Sequence, residues 1–284
     1  MFSIKDNICV AGANPCEDAT GYGENFIFAL DGASCLTGIN FVHPESDAHW
    51  FATKVSLGLK TELAKNDNRS IEDILRVIIA PLKEEYLEGV SKKGIDIPDD
   101  SPSAGIALFR IIDGFVEFYG LGDCVGVCRL KDGSVKSQND TALSSLDAIV
   151  INKMAQIHKE TGIPVTDAKK LCTDLLVKHR GMKNKEGGYF ILDPFGAGID
   201  HAVKFRVPLE KVESVSVFSD GFAQVYEVFG IYENSEILHN KMSNTSLKEI
   251  CDILFAQQDK DPLCNEHPRF KLRDDTCAVY ALVE

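Results

Sequence analysis

No apolar run in these 284 residues approaches the ~18 that a membrane-crossing helix requires. The opening, "MFSIKDNICVAG", lacks a basic segment followed by an apolar stretch. Basic residues are the minority, 30 against 43 acids, and the net charge of −13 has the wrong sign for gripping nucleic acid by its phosphates or an anionic membrane by a basic patch. The nine cysteines show no paired spacing of a disulfide or zinc framework, and Cys9, Cys35 and Cys277 sit in apolar runs where a thiol is a small hydrophobe. Cys124 and Cys128, four apart in "CVGVC", share one face of a strand and read as core. These absences predict a cytoplasmic protein that engages neither nucleic acid nor membrane. Repeats, low-complexity tracts and proline-rich linkers are also lacking, so one domain over 1–284 is expected.

What is present is an alternation of short strands and a few helices. Runs rich in Val, Ile and Phe predict strands near 4–10, 25–31, 104–112, 115–121, 124–130, 188–192, 201–207, 214–219 and 276–283. Two connections, Asp113-Gly114 and Asp132-Gly133, carry hairpin chemistry, so the sheet is read as largely antiparallel. Helical spacing recurs at 46–65 through Phe51, Val55, Leu59 and Leu63, and at 71–90, where Ser70 and Asp73 form a capping box. Further helices are expected at 142–160, 166–180 and 245–257. The order of elements is α+β rather than alternating βα units. The segment from about 137 to 187 interrupts the strands with helices and ends in the basic tail "KHRGMKNKEGG", an excursion from the sheet.

Four Asp-Gly dipeptides occur, and their contexts differ. Those at 113 and 132 join strands, whereas "FIFALDGAS" and "SVSVFSDGFAQV" end a strand on Asp31 and Asp220. "NPCEDATGY" places Glu17 and Asp18 on a strand antiparallel to that of Asp31 if "TGYGEN" is the turn; "FYGLGDC" adds Asp123 and "RDDTCAVYALV" adds Asp274-Asp275. Two carboxylates ~4 Å apart repel by about 4 kcal/mol at an effective dielectric of about 20, so such a set, if it converges, calls for cations. Oxygen-only sites suit Mg²⁺ and Mn²⁺, and two such ions suit phosphate-ester hydrolysis. Taken singly, each aspartate is more simply a turn residue or strand cap.

The order E-D, D-G, G-D, S-D-G and D-D at the start of the last strand resembles the metal-dependent protein serine/threonine phosphatases, the PPM or type 2C family. The matching stretches are "CEDATGYGENFIFALDGAS", "SAGIALFRIIDGFVEFYGLGDC", "VESVSVFSDGFAQV" and "RDDTCAVYALV", spread over essentially the whole chain. The resemblance implies a four-layer α-β-β-α sandwich with two central, mainly antiparallel sheets. It implies a site for two Mg²⁺ or Mn²⁺ ions, a further weaker ion, and in-line attack by a bridging hydroxide on a phosphorylated protein. By position, Asp18, bridging Asp31, the carbonyl of Gly32 and Asp220 would serve the metals, with Asp31 and Asp220 central to catalysis. Asp123 would help hold the further ion, and Asp274, with Asp275 in reserve, matches the last motif, where Cys277 stands in place of its threonine.

Two positions depart from the family. Ala13 stands where many members carry a phosphate-binding arginine, and Ala33 where some carry a histidine acting as general acid. A phosphate dianion still needs charge-assisted donors. Arg180 is the first substitute to consider, Lys183 and Lys185 the next, by analogy with the family's variable flap, and Lys54 on the first helix the runner-up. His179 in the same cluster, and His43 and His49 near the first helix, read as solvated or capping groups. Two rival readings stand beside the phosphatase: a non-catalytic PPM-like module, and a haloacid-dehalogenase-like enzyme with Asp31 as nucleophile, whose second aspartate would fall on Ala33. Substrate and oligomeric state are left open.

Overall fold

The computed structural model describes residues 1–98, 100–138 and 140–284. The chain opens with β1 (Phe2–Val10), β2 (Ala19–Tyr22) and β3 (Phe26–Ala33), then a helix pair, α1 (Asp47–Leu63) and α2 (Ile71–Lys92). Four strands follow, β4 (Ser103–Ile112), β5 (Phe115–Leu121), β6 (Val125–Leu130) and β7 (Val135–Gln138). The excursion holds α3 (Thr141–Thr161), α4 (Val165–Ala168) and α5 (Thr173–Arg180). After it come β8 (Val203–Pro208), β9 (Val212–Phe218), α6 (Asp220–Glu227), α7 (Ser235–Met242), α8 (Leu247–Gln258) and β10 (Thr276–Val283).

Two five-stranded sheets, β2-β3-β4-β5-β8 and β1-β10-β9-β6-β7, lie between helical layers, with antiparallel pairing throughout. The four-layer sandwich follows from strand alternation. In β3, Ile27 and Ala29 face the other sheet, while Phe28 and Leu30 face α1 and α2. Val55 and Leu59 of α1 and Ile74, Leu75 and Ile78 of α2 bury their stripes on that outer face. Phe222 of α6, Leu238 of α7 and Ile250 and Leu254 of α8 cover the opposite sheet around Val125, Val127 and Phe218. The excursion has a small core of its own, Val150, Met154, Val165, Ala168 and Cys172, closed by Cys264 and by Phe270 from the segment ahead of β10. Among the described residues no helix is long and apolar enough to cross a membrane.

The hairpins form where expected. Ile112 pairs with Phe115 across Asp113-Gly114, both at positive φ, and Asp132-Gly133 turns β6 into β7. Ser70 caps α2 by accepting the Asp73 amide at 3.0 Å, but the Asp73 carboxylate takes the Ser70 hydroxyl at 2.8 Å, so only the first half of the expected capping box forms. Two further expectations change. The 166–180 helix is broken by a 3₁₀ turn over Lys169–Cys172. Residues 188–192 form single bridges instead of a strand: β5 first pairs at Ile106, so Leu192 fills the free edge beside Ala104 with bonds of 2.9 and 3.1 Å. The helices α6 and α7 and the short strand β7 are elements that the residue periodicities do not predict.

Phe118 sits at the centre between the sheets, its ring centroid 4.9 Å from that of Phe109 and 5.0 Å from that of Phe205. Phe118→Ala should therefore cost about 3–5 kcal/mol of unfolding free energy, read as a lower urea midpoint at unchanged slope. A cost below about 1 kcal/mol would mean that this ring is not central to the sandwich.

Candidate functional site

The strand register brings the acids together. Ala19 pairs with Leu30, which sets Asp18 beside Asp31 at one end of the β2–β3 hairpin. Asp31 pairs with Gly105 of β4, and a side chain at Gly105 would meet the Asp123 Oδ1 atom at 3.2 Å, so Asp123 leans over the strand next to Asp31. From the second sheet, Phe218 pairs with Ala278 and Val125, so the end of β9 lies between the starts of β6 and β10. Ser219 ties that junction, donating its amide to the Cys277 carbonyl and accepting the Cys277 amide on its hydroxyl, both at 3.0 Å. Asp220 follows as the first residue of α6, and Asp274 precedes β10.

The four Asp-Gly pairs now separate physically. Gly114 and Gly133, in the hairpins, have positive φ; Gly32 and Gly221 do not. These two are glycines because another backbone crosses them: a Cβ on Gly32 would lie 2.3 Å from the Glu17 carbonyl oxygen, and one on Gly221 1.9 Å from that of Asp275. Each therefore lets a second acidic segment pass close beside Asp31 or Asp220.

Asp31, Asp123, Asp147, Asp220 and Asp274 line a cleft of about 490 Å³ with Glu17, Gly32, Lys169, His179, Arg180, Phe270 and Lys271. A neighbouring pocket of about 430 Å³ shares Asp123, Asp147, Asp220, Lys271 and Asp274 and adds Glu227 and Glu266. Asp18 lies behind this wall, 7% exposed, and its Oδ2 atom has no hydrogen-bond partner among the described residues. Burial raises the Asp18 carboxyl well above the usual range, opposed by the Ser219 hydroxyl and reinforced by Asp274 and Asp220. Burial followed by Asp220 raises Asp31 and Asp123 in the same direction, with Asp18 adding to Asp31 and Asp147 to Asp123. Asp274 is pushed up to about 6 by burial and Asp220 despite its 2.6 Å pair with Lys271, and Asp147 to about 7 by burial and Asp220.

Oxygen donors, an orphaned buried carboxylate atom and carboxyls that raise one another's proton affinity fit hard divalent cations. Among the described residues no three acids, histidines or cysteines yet stand at positions that close around one ion. The acids are gathered around an opening that a cation would have to draw in.

Asp275 has another task. Its Oδ1 accepts from the Gly12 and Ala13 amides at 2.7 and 3.4 Å and its Oδ2 from the Glu17 amide at 2.7 Å, so it tethers the loop ahead of Asp18. Asp274 is the member of the pair that reaches the cleft. Glu17 is held by the hydroxyls of Ser34 and Ser46, each at 2.5 Å, and His49 adds a 2.5 Å contact from its Nδ1 atom to the Cys16 carbonyl. His49 thus braces this loop.

Of the expected phosphate binders, Arg180 lines the cleft, with its Nε 3.9 Å from Asp100. The other three are corrected. Lys183 is buried, donating to the Ser101 carbonyl at 2.5 Å and pairing with Asp100 at 3.5 Å, because an ammonium taken from water needs such acceptors. Lys185 caps the Gly181 carbonyl at 2.8 Å, closing the C-terminal turn of its own segment. Lys54 is exposed on α1 and lines neither cavity. Asp147, Lys169 and Lys271 are cleft residues that sequence reasoning missed. Asp147 had a signal: four residues after Leu143 and seven before Met154, it puts an acid on the apolar stripe of α3.

No family model matches the chain, and no curated protein matches it by sequence. Solved structures match by shape. The serine/threonine phosphatase PstP/Ppp of Mycobacterium tuberculosis superposes with a TM-score of 0.53 at 11% identity, covering 100% of this chain and 98% of its own. Stp1 of Staphylococcus aureus, a serine/threonine phosphatase, gives 0.55 at 13% identity over 100% and 96%. The catalytic domain of PstP in complex with two manganese ions gives 0.52 at 13% over 100% and 98%. At these identities the shared property is the fold, and it is the sandwich that the motif order implied.

A metal-free carboxyl whose pKa is raised by folding destabilises the fold as pH climbs from its unfolded value near 4 through its folded value, because the unfolded chain sheds the proton first. Asp274 and Asp147, at about 6 and about 7, place the upper part of that window just below neutrality. Saturating Mn²⁺ should therefore raise the melting temperature, and more at pH 7.5 than at pH 5, by about 2.7 kcal/mol of stability at 100-fold excess over Kd. A shift that is absent, or larger at pH 5, would contradict the cation assignment.

Proposed function

We propose that the chain hydrolyses phosphomonoesters with divalent cations as cofactor, its substrates being phosphoserine or phosphothreonine residues of proteins. The observation that carries this is the convergence of Asp31, Asp123, Asp220 and Asp274 from the ends of both sheets on one cleft, with Asp18 buried behind it and Lys169, Arg180 and Lys271 on its wall. Anion-binding and cation-binding groups face the same space. The shared fold with structures described as serine/threonine phosphatases, one of them with two manganese ions, supports the same reading.

Asp18, Asp31, Asp220, Asp274 and the Gly32 carbonyl would hold two Mg²⁺ or Mn²⁺ ions, with Asp123 and Asp147 available to a further one. Bound there, the ions supply charge neutralisation for the phosphoryl oxygens and polarisation of a water molecule. The protein's own contribution is position. Asp275 fixes the loop that delivers Asp18, and Gly32 and Gly221 allow the acidic segments to approach. At Ala13 the loop offers only an amide, already given to Asp275, so the phosphate cation comes from the excursion: Arg180, whose ion pair is long enough to exchange for a phosphate oxygen. Residues 137–187 thus act as the substrate-facing wall.

Purified protein should release phosphate from p-nitrophenyl phosphate with Mn²⁺ and stop in chelator; equal rates in chelator would sink the reading. Asp31→Asn and Asp220→Asn should each lower kcat by about 10² or more, the scale of several kcal/mol that metal polarisation supplies. Asp113→Asn, in a hairpin turn, should stay near wild type, and comparable damage there would contradict the separation of the Asp-Gly pairs. Arg180→Ala should raise KM for a phosphopeptide about tenfold with a smaller change in kcat. An unchanged KM would place the phosphate cation at Lys169 or Lys271.

A further inference from the structure

The departing serine or threonine oxygen is a poor anion and needs a proton, and the position after Asp31-Gly32 offers only the methyl of Ala33. The proton-bearing groups that line the cleft can be compared one by one. Ser34 donates its hydroxyl to Glu17, and the Cys35 thiol and the Tyr189 hydroxyl are each pushed up to about 12 by burial. Lys271 is tied to Asp274 at 2.6 Å, and Lys169, its ammonium held below the ordinary lysine value by burial, is seated on the Phe270 ring, 5.1 Å from its centroid, where it balances the acids. An arginine does not release its proton in a protein. The proton on Asp147 is there largely because burial and the Asp220 charge hold it, and a cation on these acids would expel it.

His179 differs from all of these. It lies in the last turn of α5, beside Arg180, and lines the cleft with Asp31, Asp220 and Asp274. Its ring forms no hydrogen bond to any described residue, and its Nδ1 atom is buried without a partner. A buried polar atom left unpaired is a cost that the fold alone does not explain. Imidazole is also the side chain that most readily gives and takes a proton near neutrality.

We propose that His179 is the proton donor to the leaving oxygen of the phosphomonoester, acting beside Arg180 at the phosphate, so that one turn of α5 supplies both groups missing from Ala13 and Ala33. The inference rests on the phosphatase reading of the cleft. As the bond between phosphorus and the serine oxygen breaks, its electron pair passes to that oxygen, which takes the proton of the imidazolium. A water oxygen forms the new bond to phosphorus, and the proton that water loses returns to the ring. The phosphoserine dianion and water thereby become serine and hydrogen phosphate, with nothing oxidised or reduced.

The test is leaving-group dependence in Mn²⁺, wild type against His179→Gln. On a phosphoserine peptide the variant should lose about 10²-fold or more in kcat, whereas p-nitrophenyl phosphate, whose leaving group is stable as an anion, should lose less than about threefold. Affinity for inorganic phosphate by calorimetry should stay within about twofold, which separates a proton donor from a phosphate anchor. Equal losses on both substrates, or none on either, would overturn the role of His179 while leaving the phosphatase reading intact. A wild type inactive on both substrates would remove that reading, and the role with it. Should the variant melt early, a series of aryl phosphates on the wild type decides: a shallow dependence on leaving-group acidity supports the donor, and a steep one overturns it.

Discussion

Repulsion between carboxylates withdrawn from water is the constraint on which this molecule is organised. Asp18, Asp31 and Asp123 are each driven toward the protonated form by burial and by their acidic neighbours. A chain gains nothing in stability from that arrangement, since each buried acid costs free energy that a polar surface residue would not. The arrangement makes physical sense when cations balance it. The rest of the architecture then reads as the means of holding like charges together: two sheets whose strand ends meet, a serine bolting β9 to β10, and an aspartate binding the loop before Asp18 through three amides.

Rigidity comes from the core between the sheets. Phe109, Phe118 and Phe205 interlock there, and β3, β5, β6, β9 and β10, which carry Asp31, Asp123, Asp220 and Asp274 on or beside their ends, contribute to the packing. The excursion is attached differently. It packs on the segment ahead of β10, which is itself organised by Asp261 accepting from the Asn265 and His267 amides at 2.8 and 2.9 Å and pairing with Arg269 at 2.9 Å. Because Phe270, Lys271 and Asp274 lie on that same segment, it helps register the wall bearing His179 and Arg180 to the acids, together with the ties of Arg180 and Lys183 to Asp100.

Much of this was legible in the sequence, for reasons that can be named. Strand alternation and the hairpin turns gave the antiparallel sheets, and the contexts of the Asp-Gly pairs distinguished Asp31 and Asp220 from Asp113 and Asp132 before their backbone angles and close approaches explained why. The choice between Asp274 and Asp275 was not legible, because it depends on a loop more than 250 residues distant in sequence folding back to offer its amides. Lys183 looked like a solvated cation, since no local pattern reveals that the Ser101 carbonyl lies within reach. Asp147 on an apolar stripe was a visible anomaly that went unread, while Lys271 carried no signal beyond being three residues ahead of Asp274.

The central claim is that the gathered acids are a cation site. Anomalous diffraction from crystals grown with Mn²⁺ tests it most directly. The account requires two strong peaks among Asp18, Asp31, Asp220 and Asp274, with the acids drawn inward around them. A cleft without a peak at saturating Mn²⁺ would contradict it.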